Sequence, residues 1–315
     1  MPQVAKQSSK FDYQVEATPS FMQLPDGSFV RDGFIINRRT DNLAVLGKAS
    51  DRYGIIQNTD LVSAAEDAFA AKSMTDYKRT TIVVGEGEKM YSVYDFRNHV
   101  KKLRKGDEVG LRLTVQNSFD GSLRASFSLG MLRLLCANGL TAMEREVSMT
   151  KKHSSGISVK FITDALDKAI KAWSNATALF DRLADVRISQ EQGLAILANL
   201  QELNVLSGKL AEGATGIWAA PTHREDAERN MFNLYNAVTQ FLTHEVSADR
   251  FELANRASAN VLVTLAKAAN DTSKFTKLVT MPTSVAAEHL LTVLNQLTSA
   301  QTGQFFDWQG APVPW

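Results

Sequence analysis

The stretch that decides the fold of this chain is VGLRLTVQNSFDGSLRASFSLGMLRLLCANGL, at residues 109–140. Apolar and polar side chains alternate in its two arms, which is the period of a β-strand with one buried face. Between the arms, Asp120 and Gly121 are a strong signal for a two-residue type I′ turn, because that turn needs a positive φ at both positions. The stretch therefore predicts an antiparallel hairpin in which Arg112 and Arg124 share the polar face.

The same kind of alternation precedes this hairpin, and its character changes after about residue 150. Short strand patterns surround one amphipathic helix at about residues 60–72. We predict an α+β fold, in which an N-terminal antiparallel sheet with a packed helix is followed by a helical C-terminal half. Residues 1–157 would form a β-rich α+β domain with a basic hairpin, and residues 158–315 a helical domain with an extended aromatic C-terminal tail. The helical period recurs at about residues 159–185, 191–203, 222–245, 250–269 and 284–297.

Three local signals refine this outline. Asn58 or Thr59 is placed to cap the first helix, since either side chain can accept a hydrogen bond from a first-turn N–H group. Ser189 and Gln192 have the spacing of a capping box. Residues 208–221 are rich in Gly and Ala, so we predict a loop or hinge there.

Composition excludes several classes of protein. The 315 residues are 44% hydrophobic and 22% charged, as in ordinary globular proteins. A single cysteine, Cys136, excludes an internal disulfide and a multi-cysteine zinc site. The sequence contains neither an apolar run of about 18 residues nor the apolar core of a signal peptide. We therefore expect a cytoplasmic protein that does not bind a membrane.

The net charge of +1 conceals an asymmetry along the chain. Residues 97–160 carry 12 Lys and Arg but 5 Asp and Glu, whereas the segments on either side are mildly acidic. Two interpretations remain open, a local anionic partner or a solvated face on twisted strands.

This basic segment is the predicted nucleic-acid interface. Phosphate contacts need positive charge and hydrogen-bond donors, and single-strand binding also needs aromatic platforms for the bases. Tyr91, Tyr94, Phe96 and Phe119 lie nearby in the sequence. If the hairpin curls, its cations could line one groove. The predicted contact residues are Lys101, Lys102, Arg104, Lys105, Arg112, Arg124, Arg133, Lys151, Lys152 and His153.

A catalytic or metal site is the weaker interpretation of the polar residues. Cys136, His153 and Asp120 could be drawn as nucleophile, base and orienting group. However, Cys136 ends the segment Leu132–Cys136, which is apolar apart from Arg133 and predicts a buried structural cysteine. The five histidines show no His-x-x-x-His or His-Glu-x-x-His spacing. We therefore predict a protein that is not an enzyme, with no catalytic residues, metal or cofactor.

Four stretches together resemble one family. They are SDRYGIIQN at Ser50–Asn58, QNSFDGSLRASFSLGMLRLLCANGL at Gln116–Leu140, His153–Gly156, and NLYNAVTQFLTHEV at Asn233–Val246. This combination is similar to the DUF932 family, although Gly139 stands where the family usually has Thr and the His153 element is one residue longer. The resemblance spans about residues 34–260. It implies a phage or integrated-element origin among genes of DNA metabolism and anti-restriction, and no settled activity.

Two hypotheses follow from these observations. The leading one is a non-enzymatic, phage- or mobile-element-encoded nucleic-acid-binding protein in the cytoplasm of a bacterial host. It would favour single-stranded DNA and act as a homo-oligomeric annealing or recombination factor. The alternative is a protein-interaction factor that inhibits a host defence or restriction system or assembles with other phage proteins. The amphipathic helices and the tail with Trp308 and Trp315 motivate this alternative.

Overall fold

The computed structural model of the chain describes residues 10–104, 107–133, 138–140, 149–154, 157–246, 250–297, 305–306 and 312–313. The chain divides into two compact units. The first comprises residues 1–181 with 243–259, and the second comprises residues 182–242 with 260–315. The predicted domain boundary after residue 157 is a statement about which parts of the chain fold independently. The division into compact units does not test this, so the boundary stays a prediction.

The first unit starts with a three-stranded antiparallel sheet. Its strands are β1 (Val15–Gln23), β2 (Phe29–Arg39) and β3 (Val45–Ser50), in the order β1-β2-β3. Part of one face of this sheet is buried, with Val15 and Ile35 among its buried side chains. The ends of β1 and β2 that meet at their shared turn carry mostly exposed side chains, and we call residues 20–32 the hairpin arm.

A larger antiparallel sheet contains the hairpin that the sequence predicts. Its strands are β4 (Tyr77–Val84), β5 (Lys89–Arg104), β6 (Asp107–Ser118), β7 (Ala125–Arg133) and β8 (Asn138–Leu140) in that order, and β9 (Met149–Lys151) also pairs with β7. Helix α1 (Asn58–Ala71) packs on one face of it. The Phe69 ring of α1 lies 4.9 Å from Tyr94 and 5.2 Å from Phe96, measured between ring centroids. This aromatic cluster forms part of the core.

The two arms of the predicted hairpin are confirmed, and the predicted turn is wrong. Leu111, Leu113, Val115, Ala125, Phe127 and Leu129 are all buried on one face, as the alternation predicts. The ladder between β6 and β7 ends where Gln116 faces Ser126, so the connection is longer than two residues. Gly121 has a positive φ of +76°, whereas Asp120 does not. Instead, the Asp120 carboxylate accepts hydrogen bonds from the Ser122 N–H and hydroxyl, as in an Asx turn.

The predicted cap of the first helix is also wrong. Helix α1 begins at Asn58, and Gln57 is its N-cap residue without a side-chain cap bond. Asn58 is fully buried, where its amide donates to the Tyr13 hydroxyl at 3.1 Å and accepts from Asn117 Nδ2 at 2.8 Å. Asn58 therefore does not cap the helix, and its side chain instead satisfies buried polar groups.

The C-terminal half is helical, which confirms the α+β class. The capping box of Ser189 and Gln192 is present at the start of the second of these helices. None of the helices in the described part of the chain combines the length and apolar character needed to cross a membrane. The helices are α2 (Phe161–Asp185), α3 (Gln190–Glu202), α4 (Gly208–Ala219), α5 (Met231–His244), α6 (Phe251–Ala269), α7 (Thr272–Val279) and α8 (Thr283–Gln296), followed by the paired strands β10 (Phe305–Phe306) and β11 (Pro312–Val313).

The loop or hinge predicted at residues 208–221 is wrong, since most of that segment is helix α4. One of its glycines serves close packing: a Cβ at Gly213 would collide with the Phe241 ring of α5. The helix predicted to begin at residue 222 begins only at Met231, after a 3₁₀ turn at Arg224–Ala227. Composition alone does not distinguish a flexible glycine from one that lets two helices approach closely.

Candidate nucleic-acid interface

Two of the predicted contact residues are tied to carboxylates within the larger sheet. Arg112 Nε lies 2.5 Å from Asp95 Oδ1, and its Nη2 lies 2.9 Å from Asp95 Oδ2, so the pair is bidentate. Arg133 is fully buried, with its Nε 2.6 Å from Asp107 Oδ1. The register places Arg112 opposite Gly130, three residues before Arg133 on β7, so the two arginines lie on opposite faces. These two cations therefore do not line one groove.

The basic residues in the last part of strand β5 are partly engaged as well. Lys101 Nζ donates a hydrogen bond to Thr177 Oγ1 at 2.9 Å and lies 3.9 Å from Asp181. Lys102 lies 3.8 Å from Glu108, and its side chain is 73% exposed. The Arg104 side chain and all of Lys105 lie outside the described residues.

Three of the predicted cations are exposed at an edge of the larger sheet. Strand β9 places Lys151 opposite Ala125, so Arg124 and Lys152 are the next residues of the two paired segments. All three cationic side chains are exposed. We call Arg124, Lys151 and Lys152 the edge cations. They are available to contact phosphates.

His153 adds no charge to the edge cations near neutral pH. Its ring stacks on Tyr53 with centroids 4.7 Å apart, and its Nδ1 lies 3.1 Å from the Gly54 carbonyl oxygen. Since a carbonyl oxygen can only accept, Nδ1 carries the proton in this arrangement. Burial lowers the pKa of His153, and the hydrogen bond to Gly54 opposes this shift. Its Nε2 is buried without a hydrogen-bond partner in the described part of the protein.

The aromatic side chains near the basic segment offer no platform for bases. Tyr91, Tyr94, Phe96 and Phe119 are each at most 2% exposed and belong to the core. Stacking by these rings would require the sheet to open.

The hairpin arm supplies exposed aromatic residues that the sequence analysis did not identify. Phe21 is 56% exposed and Phe29 is 66% exposed. In the register of β1 and β2, Phe21 faces Arg31 and Gln23 faces Phe29, so these side chains share one face. Arg31 is exposed as well. The available signal was the pair of short Phe-containing segments that flank Pro25-Asp26-Gly27, a sequence typical of turns.

The other face of the arm exposes two apolar side chains that are not aromatic. Met22 faces Val30 across the two strands, and both side chains are about half exposed. The hairpin arm is therefore exposed on both faces, and one face combines two aromatic rings with a cation. A similar pairing occurs beside the arm, where Lys48 Nζ lies 4.6 Å from the centroid of the exposed Phe34 ring.

Three of the stretches that carry the family resemblance meet through hydrogen bonds. The Tyr53 hydroxyl donates to the Ser118 carbonyl oxygen at 2.6 Å, and Asn117 Nδ2 donates to the Ile56 carbonyl oxygen at 2.9 Å. His153 joins the same region through Gly54. A Cβ at Gly54 would collide with the backbone of the residue after His153. These contacts join residues 53–56 to strand β6 and to His153, so the stretches that carry the resemblance stabilise the fold of the first unit.

The nucleophile considered in the sequence, Cys136, lies outside the described residues. Asp120, proposed as the orienting group, bonds to Ser122 in its own turn. Within the described ranges, no three His, Cys, Asp or Glu side chains are grouped to hold a metal ion. The absence of catalysis, metal and cofactor stays a prediction.

Comparison with known proteins identifies one family. A family model described as "Domain of unknown function (DUF932)" matches residues 45–277. No curated protein and no solved structure matches the chain. The family match covers well over half of the chain and includes the stretches from Ser50 to Val246 that resemble the family. The chain therefore belongs to the DUF932 family.

Proposed function

We propose that this protein binds single-stranded nucleic acid on the aromatic face of the hairpin arm. Phe21 and Phe29 would stack on bases, and Arg31 would contact the adjacent phosphate. The observation that carries this proposal is the exposure of two phenylalanine rings and a guanidinium group on one face of two paired strands. Each stacked base contributes about 1–3 kcal/mol in such complexes, without strong sequence preference.

The edge cations support the same proposal through charge. Arg124, Lys151 and Lys152 are exposed, and none forms an ion pair with another described residue. Each phosphate contact releases a counterion from the nucleic acid, and this release becomes less favourable as the salt concentration rises. Such contacts therefore make the affinity dependent on salt concentration. In this proposal the protein is a non-enzymatic, homo-oligomeric annealing or recombination factor of a mobile element. It would act in the cytoplasm of a bacterial host and favour single-stranded DNA.

Fluorescence anisotropy with a labelled single-stranded oligonucleotide tests the stacking residues. The variant Phe21→Ala/Phe29→Ala should weaken binding at least about 30-fold, because two stacking contacts of about 1 kcal/mol each are lost. The matched control is Met22→Ala/Val30→Ala, which shortens apolar side chains on the opposite face of the same arm. This control should change the affinity less than about twofold.

Two results would overturn the proposal. One is the absence of oligonucleotide binding by the unaltered protein at low salt. The other is an equal loss of affinity in both double variants, which would indicate general disruption of the arm.

A salt titration tests the edge cations separately. Replacing Lys151 and Lys152 with Gln should reduce the slope of log affinity against log salt by about 1.4, since each single-strand phosphate contact contributes about 0.7. A duplex competitor should displace the labelled strand poorly. An unchanged slope would remove these lysines from the interface.

Exposed apolar side chains favour a second candidate function, a protein-interaction factor that inhibits a host defence system or assembles with other phage proteins. Besides Met22 and Val30, helix α8 exposes Leu290, Leu291 and Leu294. Exposed apolar clusters commonly mark protein contacts. A partner that remains bound after nuclease treatment, and is lost on Met22→Ser/Val30→Ser substitution, would support this alternative.

A further inference from the structure

The second unit contains a groove that the nucleic-acid proposal does not use. It has a volume of about 580 Å³ and lies between α3, α4 and the start of α8. Its apolar lining includes Leu194 and Leu197 of α3, Ala211 of α4, and Met281 and Val285 at α8. The volume is in the range of ordinary ligand pockets.

The shape of the lining fits an extended occupant. On α3 the lining runs from Leu194 through Leu197 to Gln201, which covers two helical turns or about 10 Å. Helices α4 and α8 also contribute residues at spacings of three and four, such as Val285 and Glu288. Grooves with such walls accept the apolar side of an amphipathic helix through side chains one turn apart.

Hydrogen bonds hold the walls in place around the groove. Asn199 Nδ2 on α3 donates to the Leu278 carbonyl oxygen at 2.9 Å and to the Thr280 carbonyl oxygen at 2.7 Å, at the end of α7. The Ser284 hydroxyl at the start of α8 donates to the Glu202 carboxylate at the end of α3. Because these contacts already order the walls, an occupant loses less free energy to ordering them.

The charges at the rim define the chemistry of the occupant. Glu212 on α4 and Glu288 on α8 are exposed and line the groove on two different walls. Neither carboxylate forms an ion pair with a described residue. A partner that places cations against both walls would satisfy these charges.

We propose that this groove binds an amphipathic helix of a partner protein, with Lys or Arg on both sides of its apolar face. The apolar side chains of that helix would enter the groove, and its cations would contact Glu212 and Glu288. This interaction does not depend on nucleic acid, so its outcome is independent of the hairpin arm.

The experiment uses the full chain and two labelled helical peptides of about 16 residues. Both carry Leu residues one turn apart, and they differ only in having Lys or Glu on both sides of the Leu face. Fluorescence anisotropy should show that the Lys peptide binds at least about tenfold more tightly than the Glu peptide. The charge-reversal variant Glu212→Lys/Glu288→Lys should invert this preference. Both substitutions are at exposed positions, and circular dichroism verifies the fold.

Three results would overturn the proposal. The first is a lack of binding of the Lys peptide at concentrations up to about 1 mM. The second is a peptide preference that the charge-reversal variant does not change. The third is a dimer of the protein that the Lys peptide dissociates, because the groove would then belong to a second copy of this chain.

Discussion

The buried pair of Arg133 and Asp107 allows a direct test of how the larger sheet uses its charges. The Arg133 side chain is 0% exposed and that of Asp107 is 3% exposed, with 2.6 Å between Nε and Oδ1. Substitution Asp107→Asn keeps the size of the side chain and removes its charge, so the ion pair between Asp107 and Arg133 is lost. Removal of one partner from a buried pair costs about 3–5 kcal/mol. We expect the free energy of unfolding to fall by that amount.

A double variant separates the ion pair from simple packing effects. Replacing Arg133 with Met and Asp107 with Leu removes both charges together, and such replacements range from neutral to about 1–4 kcal/mol stabilising. The double variant should therefore be more stable than Asp107→Asn by about 3 kcal/mol or more. The control is Glu16→Gln, which breaks the exposed pair of Glu16 and Arg38 and should cost at most about 1 kcal/mol.

Urea unfolding followed by circular dichroism measures all four proteins. The midpoint and slope of the transition give the free energy, provided that the two units do not unfold in separate steps. A loss of less than about 1 kcal/mol in Asp107→Asn would refute the structural role of this pair.

Two further predictions concern glycine packing and pH. Gly213→Ala should lower the free energy of unfolding by about 1–3 kcal/mol because its Cβ collides with Phe241, whereas Gly216→Ala in the same helix has open space and should raise it by about 0.5–1 kcal/mol. Equal effects in urea unfolding would contradict this. Burial lowers the pKa of His153, so the unfolded chain takes up the proton first, and stability should decrease as the pH falls below the ordinary value of 6.5. His153→Gln should flatten this decrease and His223→Gln should not; identical profiles would exclude the effect.

The strands of the central hairpin could be predicted because their signal is local. Alternation in β6 and β7 reports directly which side chains are buried, and the structure buries those side chains. The turn between them could not be predicted in detail. The Asp120 carboxylate bonds to Ser122, and this local contact competes with the type I′ geometry that Asp-Gly favours.

Whether a polar residue at the start of a helix caps that helix was harder to predict from the sequence. Ser189 is exposed and caps α3, as its spacing predicts. Asn58 has equally good capping chemistry, but it is buried beside Tyr13 and Asn117. The difference lies in partners 45 and 59 residues away in the sequence, which no local pattern contains.

The sequence by itself determined the α+β class, the strands of the hairpin, most of the helices and the family. Each of these depends on periodicity or on motifs within a few consecutive residues. The tertiary structure alone decided which cations are available. Strand register places Asp95 beside Arg112 and Asp107 beside Arg133, whereas Phe21 and Phe29 remain exposed on the hairpin arm. Ion pairing and burial depend on residues that are distant in the chain, so composition could identify the basic segment but not its free charges.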